Sequence, residues 1–384
     1  MKQSVVSNRL ADQTEYVFAR IKTAVQSELK SNPKPMLDFS VGVPDFPTNE
    51  KLVTSYLSAV RATDMSKYPG YTPSSAFTTA LRDWYRLRFK VDLNMAGLLP
   101  LSGAKEGIAH VPLALFNPGD TVLIPNPGYP AYFVPSLFAG AKIVPYDLLP
   151  ETDFKINYDQ LDKLLHLKPR FMWVNYPSNP TGQTLNWHEL EELVSYARLH
   201  NIFILYDNAY SEIFFNSSPP PSILEIPGAF DCAIEFGSVS KSYSLAGIRL
   251  GWVCGNTEAV SAIAKLKTIY DSGVSQIVQS VGAEAFSLND ETWHTKMIQS
   301  YESRRNTLAT YLPKLGLLFN LPPGSLYIWA KIPDSEIDSE SYCKKLLTKQ
   351  HIVFAPGSAF GSNGARYVRI SIGIDMQNID RYIS

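Results

Sequence analysis

The sequence predicts an α/β protein, a large domain with a mostly parallel sheet sandwiched by helices plus a smaller α/β domain. Three observations carry this expectation. Short runs that are apolar throughout alternate with longer amphipathic stretches in the middle of the chain, as in a sheet covered on both faces. The pattern changes near residue 280, where helices accompany only a few short strands. The chain has 384 residues, 45% hydrophobic and 18% charged, which is globular composition and length for about two or three domains.

The elements follow in order. A helical pattern with Tyr16, Ala19, Ile21, Ala24 and Val25 fills much of the first 30 residues, and Pro33 and Pro35 end it. Residues 41–47, rich in turn formers, read as an irregular loop. Buried strands are expected at Val122–Ile124, Phe171–Val174, Ile202–Tyr206, Ala233–Phe236 and Leu250–Val253. Between two of them, Leu190, Leu193, Val194 and Ala197 give Trp187–His200 helical spacing, with Asn186 and Glu189 as a capping pair. Residues 284–315 read as one long helical stretch. Residues 327–333 follow, then a helix over 339–350 and strands around 352–354 and 367–372. The expected organisation is an N-terminal segment 1–45 packing with the small domain, a large domain 46–280 and a small C-terminal domain 281–384.

Composition excludes several function classes. Lys+Arg 35 against Asp+Glu 36 leaves a formal charge of −1, no overall field for a nucleic-acid backbone or an anionic membrane. No run of about 18 apolar residues is present, so no membrane span is expected. The N-terminal residues lack the apolar core of a signal peptide, which points to the cytoplasm. Cys232, Cys254 and Cys343 are too few and too widely spaced for a disulfide framework, and the six histidines form no metal-like cluster. No bound metal is expected.

Several segments could carry chemistry. Lys241 stands among Ser238, Ser240 and Ser242 just after an apolar strand, with Arg249 eight residues on. A lysine near a core is costly to bury as an ammonium, and partial desolvation turns it into an amine nucleophile for carbonyls. Hydroxyls and a guanidinium beside it suit a phosphate. Asp207 ends another buried run, where open α/β sheets place ligands, although a strand-end Asp also caps turns. Turn chemistry alone would explain Asn179-Pro180-Thr181-Gly182. Ser102-Gly103-Ala104-Lys105 opens a helical pattern and offers backbone N–H groups to an anion, without dinucleotide or Walker A spacing.

Taken in order from residue 41 to residue 372, these segments resemble the class I/II aminotransferases among the fold-type I pyridoxal-phosphate enzymes. The order is Gly42, the Tyr68/Tyr71 region, Ser102–Lys105, the segment around Tyr129, Asn179–Gly182, Asp207–Tyr210, Ser238–Tyr243 with Arg249, and Arg369. Several stretches are similar to the LL-diaminopimelate aminotransferase and aspartate aminotransferase-like branch. The resemblance implies pyridoxal 5'-phosphate as cofactor. Lys241 would bond to its aldehyde and, once freed, serve as general base. Asp207 would pair with the pyridine nitrogen; Asn179 and Tyr210 would hydrogen-bond the phenolate oxygen; Tyr129 would stack on the ring. Ser238, Arg249 and the backbone of Ala104 and Lys105 would bind the phosphate. Arg369, with Gly42 and Asn179, would hold the substrate carboxylate. Tyr68 or Tyr71, of which Tyr71 is preferred, would reach a neighbouring subunit's phosphate, so a homodimer is implied.

Two places depart from the family pattern. Ala76 and Phe77 stand where a glycine usually follows the phosphate tyrosine, with an apparent extra residue, and Ala246-Gly247-Ile248 lacks the usual aromatic before Arg249. The implied reaction moves an amino group between an amino acid and a 2-oxo acid, with 2-oxoglutarate and glutamate as one pair, in amino-acid biosynthesis. Aspartate- or alanine-type transamination, or β-elimination on the same scaffold, stands as the alternative.

Overall fold

The computed structural model describes residues 5–11, 16–215, 218–288, 290–376 and 379–383. In chain order the strands are β1 (Leu37–Asp38), β2 (Leu98–Leu101), β3 (Thr121–Asn126), β4 (Lys142–Asp147), β5 (Pro169–Asn175), β6 (Phe203–Asp207), β7 (Ala233–Ser238), β8 (Gly251–Gly255), β9 (Tyr327–Lys331), β10 (Ile352–Val353), β11 (Ala355–Pro356) and β12 (Tyr367–Ser371). Seven of them form one sheet in the order β2-β8-β7-β6-β5-β3-β4. β4, β3, β5, β6 and β7 pair in parallel, and β8 runs antiparallel to both β7 and β2. Hence every strand of this sheet except β8 points the same way.

The central strands are apolar throughout because both faces are covered. Along β6, Ile204 and Tyr206 join one core cluster while Leu205 joins another on the opposite face. The helix Trp187–His200 carries its apolar stripe of Leu190, Leu193, Val194 and Ala197 into the first of these cores. Its capping box is complete: Asn186 Oδ1 accepts from Glu189 N at 3.1 Å, and Asn186 N donates to Glu189 Oε2 at 2.8 Å.

A third core gathers Leu37 and Phe39 with residues from Met297 onward, joined by Tyr210 and Ile213. Over it lie the antiparallel sheet β11-β12-β9 and the parallel pair β1–β10. The N-terminal helix Val17–Ser31 sets Phe18 and Ile21 against Trp329 and Phe360. The helical stretch expected over 284–315 is divided instead. It comes as Gln276–Leu288 and Glu291–Tyr311, closed by a 3₁₀ turn at Leu312–Leu315. Asp290 starts the second helix by accepting from Trp293 N at 3.0 Å, a local bond that competes with helix continuation.

Candidate active site

The carboxyl ends of the parallel strands meet on one edge. β2 runs into Ser102–Lys105, β3 into Tyr129, β5 into Asn179, β6 ends on Asp207, and β7 ends on Ser238 just before Lys241. Because β8 is antiparallel, its entry places Arg249 and Gly251 on the same edge, with Gly251 opposite Ser238. A cavity of about 380 Å³ opens there, lined by Gly42, Ala104, Lys105, Tyr129, Asn179, Asp207, Tyr210, Ser238, Lys241, Arg249 and Arg369. All the site residues expected from the sequence therefore come together, except one. Tyr71 is 63% exposed and Tyr68 87%, and neither lines the cavity of its own chain.

Lys241 sits in a short helical turn, Val239–Ser242, whose first residue is capped by Ser238 Oγ accepting from Ser240 N at 3.2 Å. Its Nζ donates to Gly42 O at 2.5 Å. Burial, then the nearby Arg369 and Arg249 charges, bring the Lys241 ammonium down to about 8. Asp207 accepts from Tyr132 Oη at 2.7 Å and from Ala209 N at 3.2 Å. Burial nevertheless pushes its carboxyl up to about 6. Asn175 braces the strand ends by donating to Asp207 O at 2.8 Å and accepting from Asn179 N at 2.7 Å.

Arg369 is almost wholly buried. It donates to Asn179 Oδ1 at 2.8 Å and to Ser40 O at 2.5 Å. Three rings enclose its guanidinium: Tyr327 at 4.2 Å, Phe18 at 4.8 Å and Phe360 at 4.8 Å. Its buried Nε has no hydrogen-bond partner among the described residues.

Two glycines are required by contact. A Cβ on Gly42 would lie 1.9 Å from Tyr327 Oη. A Cβ on Gly103, at φ +89°, would lie 2.3 Å from Arg249 Nη2. Gly103 thus lets the guanidinium lie against the start of the helix Ala104–Leu115, whose first N–H groups have no intrahelical acceptor. Guanidinium, helix N-terminus and serine hydroxyl make an anion cradle beside a buried amine and a buried carboxylate. This donor set fits pyridoxal phosphate at three points: phosphate, aldehyde and ring nitrogen.

Four functional side chains escape the sequence argument. Tyr327 on β9 bonds Tyr210 at 2.8 Å between the two phenol oxygens. Tyr132, stacked on Trp173 at 4.7 Å, holds Asp207. Tyr16 and Phe18 reach the cavity from the N-terminal segment. Only Tyr132 leaves a local trace, lying one turn beyond Tyr129. The others arrive from distant segments by tertiary packing. Lys105 brings more than its backbone: its ammonium lies 4.7 Å from the Tyr16 ring centroid and 6.0 Å from that of Tyr129.

The profile of the family described as aminotransferase class I and II matches residues 34–384. An LL-diaminopimelate aminotransferase of Aquifex aeolicus is 37% identical over 97% of this chain and 96% of its own. Among solved structures, an aminotransferase from Staphylococcus aureus superposes with a TM-score of 0.89 at 31% identity, covering 98% of this chain and 96% of that one. BacF from Bacillus subtilis superposes with a TM-score of 0.93 at 26% identity, covering 99% and 97%.

Proposed function

Because the chain belongs to the class I and II aminotransferases and is a pyridoxal-phosphate-dependent transaminase, we propose that it runs the reaction in this cavity with LL-diaminopimelate as amino donor and 2-oxoglutarate as acceptor. The observation that carries the assignment of residues is the convergence of Asp207 at the end of β6, Lys241 in the turn after β7 and Arg369 in the middle of β12 on one cavity. The donor assignment draws on two supports. Full-length relatives at this identity are LL-diaminopimelate aminotransferases. Lys105 also offers a second cation in the cavity that holds Arg369, and a substrate with a carboxylate at each end needs two.

Bound pyridoxal phosphate supplies an electrophilic carbon for amines and a ring that spreads negative charge from the substrate α-carbon. The chain's own residues do the rest. Lys241, whose ammonium is held down near 8, would act in its neutral form as the base that takes the α-proton at Nζ and carries it for return to the product. Asp207 keeps the ring nitrogen protonated from a dry position. Tyr210, oriented by Tyr327, donates to the phenolate oxygen together with Asn179. Tyr129 covers the ring face. Ser238, Arg249 and the N–H groups of Ala104 and Lys105 hold the phosphate, and Arg369 fixes the α-carboxylate beside Gly42.

The same reading includes a homodimer in which Tyr71 serves the other subunit's phosphate. It is supported by exposed Met65, Tyr68, Tyr71, Ile269 and Tyr270 around the meeting of Gly70 with Gly273. It also includes the division at 45/46 and 280/281, for which the separate core from Met297 onward gives support, although Val281, Ala285 and Phe286 still pack into the first core, and a cytoplasmic setting, supported by three unpaired cysteines.

Absorbance tests the assignment. The purified protein should show a band near ~420 nm that moves toward ~330 nm on adding an amino donor. LL-diaminopimelate should drive this at lower concentration than aspartate or alanine. Conversion by aspartate or alanine alone would reassign the donor. Release of ammonia without that shift would make the chain an eliminating enzyme.

A further inference from the structure

Behind the phosphate cradle lies a partly buried ionic cluster, built around the buried Lys267, that the chemistry above does not use. Glu106, in the first turn of the helix Ala104–Leu115, folds back so that its Oε2 accepts from Ser102 N. Its Oε1 lies 2.7 Å from Lys267 Nζ and 3.1 Å from His110 Nδ1. Lys267 is 4% exposed and also bonds Asp271 Oδ2 at 2.6 Å. Asp271 in turn accepts from Gly273 N at 3.0 Å, in the turn that touches Gly70. Burial opposes ionisation of Glu106, but the nearby His110, the bond and charge of Lys267 and the Ser102 N–H outweigh it and hold the carboxyl at about 2. Ligand-type atoms of Glu106, His110 and Asp271 lie within 4.8 Å of one another, as around a metal ion. The Lys267 ammonium already bridges the two carboxylates, so the cation of this cluster is a side chain.

An ionised carboxylate one turn from an anion site is a liability. It orders the Ser102–Ala104 backbone, yet its charge repels the phosphate that this backbone is to hold. We propose that Lys267 is a positioning residue for cofactor binding, the internal counter-ion that lets Glu106 brace the phosphate cradle without repelling the phosphate. The inference rests on the reading that Ser102–Lys105 and Arg249 hold the phosphate.

The test compares pyridoxal phosphate with pyridoxal, which lacks the phosphate. Each is titrated into full-length protein stripped of cofactor, with binding followed by absorbance and by quenching of tryptophan fluorescence. Lys267→Met should weaken pyridoxal phosphate about tenfold, through the repulsion of an uncompensated Glu106 carboxylate, and leave pyridoxal unchanged. Lys267→Arg should restore most of it. Glu106→Gln keeps the shape, removes the offending charge and should tighten pyridoxal phosphate relative to pyridoxal. It also serves where Lys267→Met does not fold. Equal losses for both ligands in Lys267→Met, or a selective loss in Glu106→Gln, would overturn the proposal, since a purely structural brace would act so. Arg249→Ala is the control: if it leaves phosphate selectivity intact, the cradle reading itself fails, and with it the premise.

Discussion

At the scale of single residues, two buried ionisable groups carry opposite penalties. Lys241 is held near 8, so its neutral form dominates well below the ordinary lysine range. Cofactor capture by the stripped protein needs the free amine. Its rate should rise with pH, reach half its maximum near 8 and level off above that, measured by stopped-flow absorbance; a rise centred near 10.5 would refute the desolvated amine. Asp207 is pushed the other way, from 3.8 to about 6, by burial. A raised folded-state carboxyl means that the native protein binds more protons than the unfolded chain between these values. Stability without cofactor therefore falls as pH rises from about 4 through 6 and stays low above. Asp207→Asn should raise the melting temperature of the stripped protein at pH 7, with the gap closing at pH 4, while transamination falls by orders of magnitude. A thermal scan at both pH values decides it. Lys241 and Asp207 were legible in the sequence because each closes an apolar run, and the end of a parallel strand is where ligands sit. Tyr327 and Phe18 were not, since an aromatic in a strand or helix carries no mark of what it will face after folding.

At the scale of elements, the turn from β2 into the helix Ala104–Leu115 works by the absence of a side chain. Gly103→Ala places a methyl against Arg249 at a backbone angle that resists it. Cofactor affinity should drop about tenfold, consistent with roughly 1–3 kcal/mol of strain and displaced guanidinium. Unchanged affinity by equilibrium titration would show that Arg249 does not need that place. Elements with strong local signals were read with little error. The helix Trp187–His200 is bounded as expected because its capping pair and apolar stripe agree. The stretch over 284–315 was misread as continuous because helical periodicity outran a boundary set by one capping aspartate, Asp290. The direction of β8 was not legible either. An apolar run says nothing about which way it enters a sheet, yet that direction is what brings Arg249 to the site.

At the scale of the whole molecule, the role proposed for the exposed Tyr71 would tie chemistry to assembly. If it completes a neighbour's phosphate site, dilution that dissociates the dimer should release cofactor in step with the loss of mass, followed by mass photometry and absorbance. Cofactor held equally well by the monomer would remove Tyr71 from the site.

The pairing of β1 with β10 joins Leu37 and Asp38 to Ile352 and Val353, segments far apart in sequence, and Arg369 follows soon after. The order of synthesis therefore splits the pocket in time. A nascent chain that has emerged through β8 already has every strand of the seven-stranded sheet, with Lys241, Asp207 and Arg249 at their strand ends. It still lacks Arg369, the guanidinium proposed to hold the substrate carboxylate. On the proposed roles, translation makes the half that would handle the reactive aldehyde before the half that would select what meets it, so a chain released between the two would carry a reactive lysine without its carboxylate clamp.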